Sequence, residues 1–386
     1  MKRYLPRIIS AVTVLILLVC SLPITAFCSE EEPLPFDLDC KSAVLMEAET
    51  GRVLYEKNKD EALPPASVTK VMTLLLVMEA VDGGKLSLDD VVQVSEYAAS
   101  MGGSQVYLEP GEEMSVEELI KCVVIASAND AAVTLAEAVA GSETSFIDMM
   151  NERAESLGMK NTHFENATGL DDTVTDHVTS AADIAIMSRE LISHPEVLKY
   201  SSVWMDSIRG GAFGLTNTNR LVRFYKGATG LKTGSTSKAK FCISATARRD
   251  GMHLIAVIMG APTRDIRNEE AKKLLDYGFA NYSLYRDEGG ECGSIRIVKG
   301  VEPDCAVRRP AFSALLPKGD AGKVKVSIET DPEAEAPVIA GDAVGRAVYS
   351  VDGKEIGSVD VVCSGSVPKL SFFGLFLKML SYFTIS

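Results

Sequence analysis

The sequence predicts an α/β protein of the α+β kind: an antiparallel sheet with helices packed on it, followed by a small all-β domain. Three observations predict it. Strand-like runs stand at residues 42–58 and again at 229–261, with a block of helical periodicity between them. A sheet assembled from both ends of a domain and covered by the intervening helices satisfies that order. Beyond residue 288 the apolar residues switch to period two, broken by Gly and Asp, which is the pattern of short antiparallel strands. With 386 residues, the chain has room for two domains.

The elements follow in order. "MKRYLPR" is basic, "IISAVTVLILLVCSLPITA" is apolar, and "TAFCSEEE" turns acidic. This is the layout of a secretory signal peptide over residues 1–28, cut near Ala26 or Cys28, and Pro23 with the small residues favours cleavage over an uncleaved anchor. The body of the protein, from residue 29, is therefore expected to work outside the cytoplasm. "SAVLMEAETGRVLYEKN" (42–58) alternates on both sides of Glu-Thr-Gly and reads as a hairpin. Pro64 and Pro65 punctuate the chain before "VMTLLLVMEAV" (71–81), a run apolar nearly all round and so a buried helix. Ser115 and Glu118 form a capping box for a helix reaching about Ile125. The pattern breaks at Ser127-Ala128-Asn129 and resumes from Asp130 to Ala140, where Gly141 stops it. Two more helical segments come next, at 143–158 and 179–197. Then "TGLKTGS", "AKFCISATARR" and "MHLIAVIMGA" read as three successive strands, and "IRNEEAKKLLDYGFANY" as a closing helix. "YRDEGGECG" marks a boundary near residue 284, and the small β-domain is expected from 288 to 364.

Composition excludes some functions. A net charge of −14 argues against a nucleic-acid partner. The four histidines and the six cysteines beyond the export segment show no metal-ligand or redox spacing, so no metal and no cofactor is expected. A Cys292–Cys305 bridge is an option that spacing alone does not assign.

Three short motifs carry chemistry. Ser67 and Lys70, at i and i+3 in the first turn of a core helix, share a face. A charge on a helix with no evident solvent face needs a reason. A serine nucleophile needs an adjacent base, and no histidine is placed for it. Lys70 is the candidate, because burial and a second ammonium, Lys232, would lower its pKa. Ser127 and Asn129 interrupt a helix, so their side chains turn toward a cleft. Lys232-Thr233-Gly234 lies on a late strand. Each motif is weak alone; the ordered set is specific.

With these motifs the chain resembles the serine D,D-carboxypeptidases among the low-molecular-mass penicillin-binding proteins. "PPASVTKVMT", "GSQVYLEPGE", "IASANDAAVTLAEAVAGSE", "LGMKNTHFENATGL" and "GLKTGSTSKAKFCISATA" all look like that family. The resemblance implies a β-lactamase/transpeptidase-like catalytic domain over 29–284. It implies removal of the terminal D-Ala from peptidoglycan stem peptides ending in D-Ala-D-Ala, through a Ser67 acyl-enzyme, with β-lactam antibiotics as covalent inhibitors. In it the amides of Ser67 and Ser235 form an oxyanion hole, and Ser127 and Asn129 relay protons and hold the substrate amide. Lys232, Thr233 and Arg267 face the terminal carboxylate; a salt bridge of Arg267 with Glu269 or Glu270 is the equal alternative. Ser235 departs from the family, which often has an aromatic residue or His there.

Two other functions compete. A class A β-lactamase would need a deacylating Glu, for which Glu165 is in the right interval without the expected flanking pattern. An inactive penicillin-binding scaffold is opposed by the intact Ser67, Lys70, Asn129 and Lys232. Finally, "VPKLSFFGLFLKMLSYFTIS" (367–386) places Ser371, Gly374, Lys378 and Ser381 on one narrow stripe among aromatic and aliphatic residues. It reads as an amphipathic helix lying on a membrane, with a buried helix of the β-domain as the alternative.

Overall fold

The computed structural model describes residues 37–172 and 174–376. The expected signal peptide and residues 377–386 of the tail lie outside them. Within the described residues the α+β prediction holds. The hairpin strands β1 (Ser42–Glu47) and β2 (Val53–Lys57) join β3 (Ala228–Thr236), β4 (Lys240–Arg249) and β5 (Met252–Ala261). The five-stranded sheet runs β2-β1-β5-β4-β3, antiparallel throughout. β5 sits at the centre and is buried along nearly its whole length, which matches its unbroken apolar run. β3, with Lys-Thr-Gly, is an edge strand.

Helix α1 (Lys70–Asp82) has buried residues on every face, from Lys70 to Met78 without a break. Each large apolar side chain so buried is worth about 1.5–3 kcal/mol, so the helix is anchored whichever way it is viewed. A 3-10 turn, Ala66–Thr69, leads into it. Helix α2 (Val116–Lys121) starts at the predicted cap, with the Ser115 hydroxyl accepting the Glu118 N–H at 3.2 Å. It then widens into a π-turn, Cys122–Ala126, and ends with Ser127 at φ +64°. Helix α3 (Asn129–Ala140) begins at once and stops at Gly141. Helices α4 (Glu143–Ser156), α5 (Ala181–Leu191) and α6 (Pro195–Ser201) complete the block, and α7 (Arg264–Asn281) closes the domain.

The small domain starts earlier in the chain than expected. Tyr282 opens β6 (Tyr282–Asp287), which pairs with β9 (Phe312–Pro317). The remaining strands are β7 (Gly290–Val298), β8 (Asp304–Arg309), β10 (Lys325–Thr330), β11 (Glu333–Glu335), β12 (Ala343–Val351) and β13 (Lys354–Cys363). They form a six-stranded sheet in the order β10-β12-β13-β8-β7-β11. Its own core gathers Ile295, Val307, Ala347, Tyr349 and Val361. Val367, expected at the start of the tail, belongs to that core and bridges Val338. Residues 372–376 are helical, capped by the Ser371 hydroxyl on Gly374 N–H at 3.1 Å, and Phe372, Phe373 and Phe376 are exposed. The six described cysteines are free thiols, Cys292 and Cys305 included.

Candidate active site

The three motifs, up to 165 positions apart in the chain, meet in one cleft. Ser67, Ser127, Thr233, Gly234, Ser235 and Arg267 line it, together with Ser104, Thr218 and Arg264, around a cavity of ≈ 180 Å³. Ser67 sits on the 3-10 turn, one residue after Ala66, whose φ of +49° is unusual for a residue with a Cβ. Lys70 opens α1 and is fully buried.

Three oxygens surround the Lys70 amine. It donates to Asn129 Oδ1 at 2.5 Å and to the Thr168 carbonyl at 2.7 Å, and lies 3.0 Å from Ser67 Oγ. Two of these partners can only accept. An ammonium would donate to all three oxygens; the neutral amine keeps two N–H groups for the carbonyls and offers its lone pair to the Ser67 hydroxyl. Burial lowers the Lys70 pKa well below the ordinary lysine value, the nearby Lys232 ammonium lowers it further, and Asp130 opposes them. The orientation of the Asn129 amide follows from its other end, where Nδ2 donates to the Gly102 carbonyl at 2.6 Å.

Lys232 is also fully buried; it donates to Ser127 Oγ at 2.7 Å. Burial, and then the charge of Arg267, bring its pKa down to about 7. The left-handed turn at Ser127 aims the hydroxyl at this contact, and π-turns frequently occur at such sites. Thr233 bonds to Thr218 at 2.9 Å. Arg267 is buried and makes no bridge to Glu269 or Glu270, which pair with Lys272 and Lys273. Its guanidinium bonds to Asn268 Oδ1 at 2.9 Å and to the Cys242 carbonyl. Burial holds its pKa down at about 10, with Arg264 adding to the effect. Lys232 and Arg267 thus place buried positive charge on the cleft, with no carboxylate among the described residues bonded to either.

Gly234 has a role that the motif alone does not announce. A Cβ there would lie 2.8 Å from the Pro65 carbonyl, 2.8 Å from the Ser67 nitrogen and 2.9 Å from the Val68 nitrogen. Only glycine lets edge strand β3 press against the nucleophile turn. Sequence reasoning also missed Thr168, Asp130, Ser104, Thr218 and Arg264. Asp130 was legible as a first-turn acid of α3. Its buried carboxylate accepts the N–H groups of Val106 and Leu108 and so fixes the loop bearing Ser104. The carbonyl of Thr168 carries no side-chain signal. Glu165 is committed elsewhere, accepting the N–H groups of Thr175 and Asp176, and does not line the cleft.

A mixed sheet-and-helix domain whose serine, on the turn leading into the core helix, faces a buried lysine, closed by a Lys-Thr-Gly edge strand, is the architecture of penicillin-binding serine enzymes. Comparison with known proteins narrows this. Residues 28–263 match the D-alanyl-D-alanine carboxypeptidase family, and residues 304–369 match the C-terminal domain of penicillin-binding protein 5. The chain is 42% identical to D-alanyl-D-alanine carboxypeptidase DacF of Bacillus subtilis, over 96% of this chain and 97% of that protein. Penicillin-binding protein 5 from Haemophilus influenzae superposes with a TM-score of 0.77 at 32% identity, covering 88% of this chain and 100% of that one. Penicillin-binding protein D2 from Listeria monocytogenes, solved with ampicillin bound, is 36% identical with a TM-score of 0.57, over 64% of this chain and 100% of that one. The chain belongs to the D-alanyl-D-alanine carboxypeptidase family and is a hydrolase of cell-wall peptides.

Proposed function

We propose that this carboxypeptidase works through an ester on Ser67. Lys70 takes the hydroxyl proton as Ser67 Oγ attacks the carbonyl of the penultimate D-Ala. The amides of Ser67 and Ser235 receive the oxyanion, a kind of contact worth a few kcal/mol. Ser127, backed by Lys232, passes a proton to the departing amine, and the terminal D-Ala leaves. Water then attacks the ester, with Lys70 again as base. Lys232, Thr233 and Arg267 hold the terminal carboxylate, and Asn129 holds the substrate amide. A β-lactam opens by the same attack, but its amine stays tethered, so the adduct persists. The observation that carries this reading is the buried Lys70 amine, held by two carbonyl oxygens, 3.0 Å from the Ser67 hydroxyl.

The lactamase alternative loses support from the engagement of Glu165, and the scaffold alternative from the buried Lys70 amine standing 3.0 Å from Ser67 Oγ. We further propose that the chain is exported by its N-terminal signal peptide and held on the outer face of the cytoplasmic membrane by its amphipathic C-terminal segment, Lys369 and Lys378 lying near lipid phosphates. The decisive experiment for the chemistry is labelling with a fluorescent penicillin. Wild type should be labelled covalently and Ser67→Ala should not; a folded Ser67→Ala protein that labels normally refutes the ester on Ser67.

A further inference from the structure

His177 is buried, bonds to neither Ser67 nor Lys70, and has no part in the steps above. Its ring nevertheless stands between the two segments that hold them. Nδ1 accepts the Glu165 N–H at 2.9 Å, so Nδ1 carries no proton and Nε2 does. Nε2–H therefore donates to Thr69 Oγ1 at 2.7 Å, and the Thr69 hydroxyl passes its own proton on to the Ala66 carbonyl at 2.9 Å. The chain of bonds has one direction only, and it ends on the two residues that flank Ser67–Val68.

The other side of the ring holds the loop that reaches Lys70. Glu165 begins "ENATG", in which Asn166 Oδ1 accepts the N–H of Gly169 at 2.6 Å, Ala167 accepts from Thr73 at 2.7 Å, and Thr168 receives the Lys70 amine. Gly169 lies directly on the nucleophile turn: a Cβ there would be 1.9 Å from the Ala66 oxygen and 2.8 Å from Thr69 Oγ1. Ala66 is held at φ +49°, a conformation that relaxes unless its surroundings impose it. We propose that His177 is a positioning residue for acylation: as the neutral Nε2–H tautomer it ties the turn bearing Ser67 to the loop whose carbonyl holds Lys70. Burial keeps the ring neutral, with a pKa brought down to about 4, as this pattern of donors requires. The inference rests on Ser67 and Lys70 being nucleophile and base.

Two amides test it, because each reproduces one ring nitrogen. Gln at 177 sets an N–H donor where Nε2 stands; Asn reproduces the acceptor at Nδ1 and stops short of Thr69. In the full chain, His177→Asn should slow acylation by a fluorescent penicillin about tenfold or more, as a displaced nucleophile does. It should lower kcat for D-Ala release more than it raises KM. His177→Gln should restore most of the rate at a melting temperature similar to that of the Asn variant. Thr69→Val should slow acylation as His177→Asn does, and Thr69→Ser should not. Nitrogen NMR of the histidine-labelled wild type should show the His177 proton on Nε2. The proposal is overturned if Asn and Gln variants acylate alike, if rates merely track melting temperature, or if Nδ1 carries the proton. Should the variants misfold, the tautomer and the Thr69 pair still decide. Normal labelling of wild type with unaffected His177 variants would sink this inference alone, whereas labelling that survives Ser67→Ala would sink the reading beneath it too.

Discussion

At the scale of single residues, the site depends on keeping an amine uncharged beside a hydroxyl. Below its depressed pKa Lys70 takes a third proton and can no longer accept one from Ser67, so acylation should fall as the pH drops. The Lys232 ammonium is part of what holds that pKa down. Lys232→Gln should therefore move the acid limb of the acylation-rate profile to higher pH; an unmoved or lowered limb would show that the two lysines are not electrostatically linked. Gly234 gives a second prediction. Gly234→Ala forces backbone atoms of β3 and the Pro65–Val68 turn apart, because nothing at 2.8 Å there is a flexible side-chain end. Acylation should drop by about a hundredfold, the scale of an ångström of misplacement, as read from penicillin labelling rates. Only a folded variant that acylates at the normal rate would contradict this.

At the scale of elements, the break between α2 and α3 determines where two motif side chains point. The π-turn absorbs one extra residue, and Ser127 then adopts a left-handed conformation that brings its hydroxyl to Lys232. Asp130, in the first turn of α3, anchors the facing loop by backbone N–H groups rather than by a cation. Asp130→Asn leaves one oxygen where two served, so at least one buried N–H loses its partner. Stability should fall by about 1–3 kcal/mol, measured by urea unfolding, and acylation should fall with it. Unchanged stability would mean that the 104–108 loop is held by other contacts.

At the scale of the molecule, two hydrophobic cores among the described residues draw on different stretches of the chain, which implies two units of different duty. The catalytic core gathers residues from Val44 to Met259, whereas the β-domain core begins at Ile295. Polar contacts join them: Glu49 accepts from Arg286 at 2.7 Å, and Arg52 donates to the Leu315 carbonyl at 3.1 Å. The segment 37–281 should therefore fold alone and be acylated by penicillin at a rate close to that of the full chain. A segment that fails to fold would show that the small domain completes the catalytic core. Val367 also determines where the tail can be cut. Removal after Leu370 should leave the β-domain intact and abolish binding to anionic liposomes. Removal after Ser366 should also destabilise the domain by about 1–2 kcal/mol, since it deletes a buried valine. Equal liposome binding with and without the tail would refute the anchor.

The sequence by itself determined the class of fold, the order of its elements and the three motifs, because each of these is a local pattern. Period two marks strands, an all-round apolar run marks a buried helix, and Ser115 with Glu118 marks a helix start. Charge burial at Lys70 was legible for the same reason: its neighbours along the helix leave it no solvent. The tertiary structure alone decided what meets what. It turned Arg267 away from Glu269 and Glu270 and into the cleft, gave Gly234 and Gly169 their necessity, and brought the Thr168 carbonyl to Lys70. It also made Val367 core rather than tail. None of these leaves a local trace, because a backbone carbonyl, the missing Cβ of a glycine and a choice between ion-pair partners acquire meaning only when distant segments come within about 3 Å, the range at which hydrogen bonds and steric exclusion act.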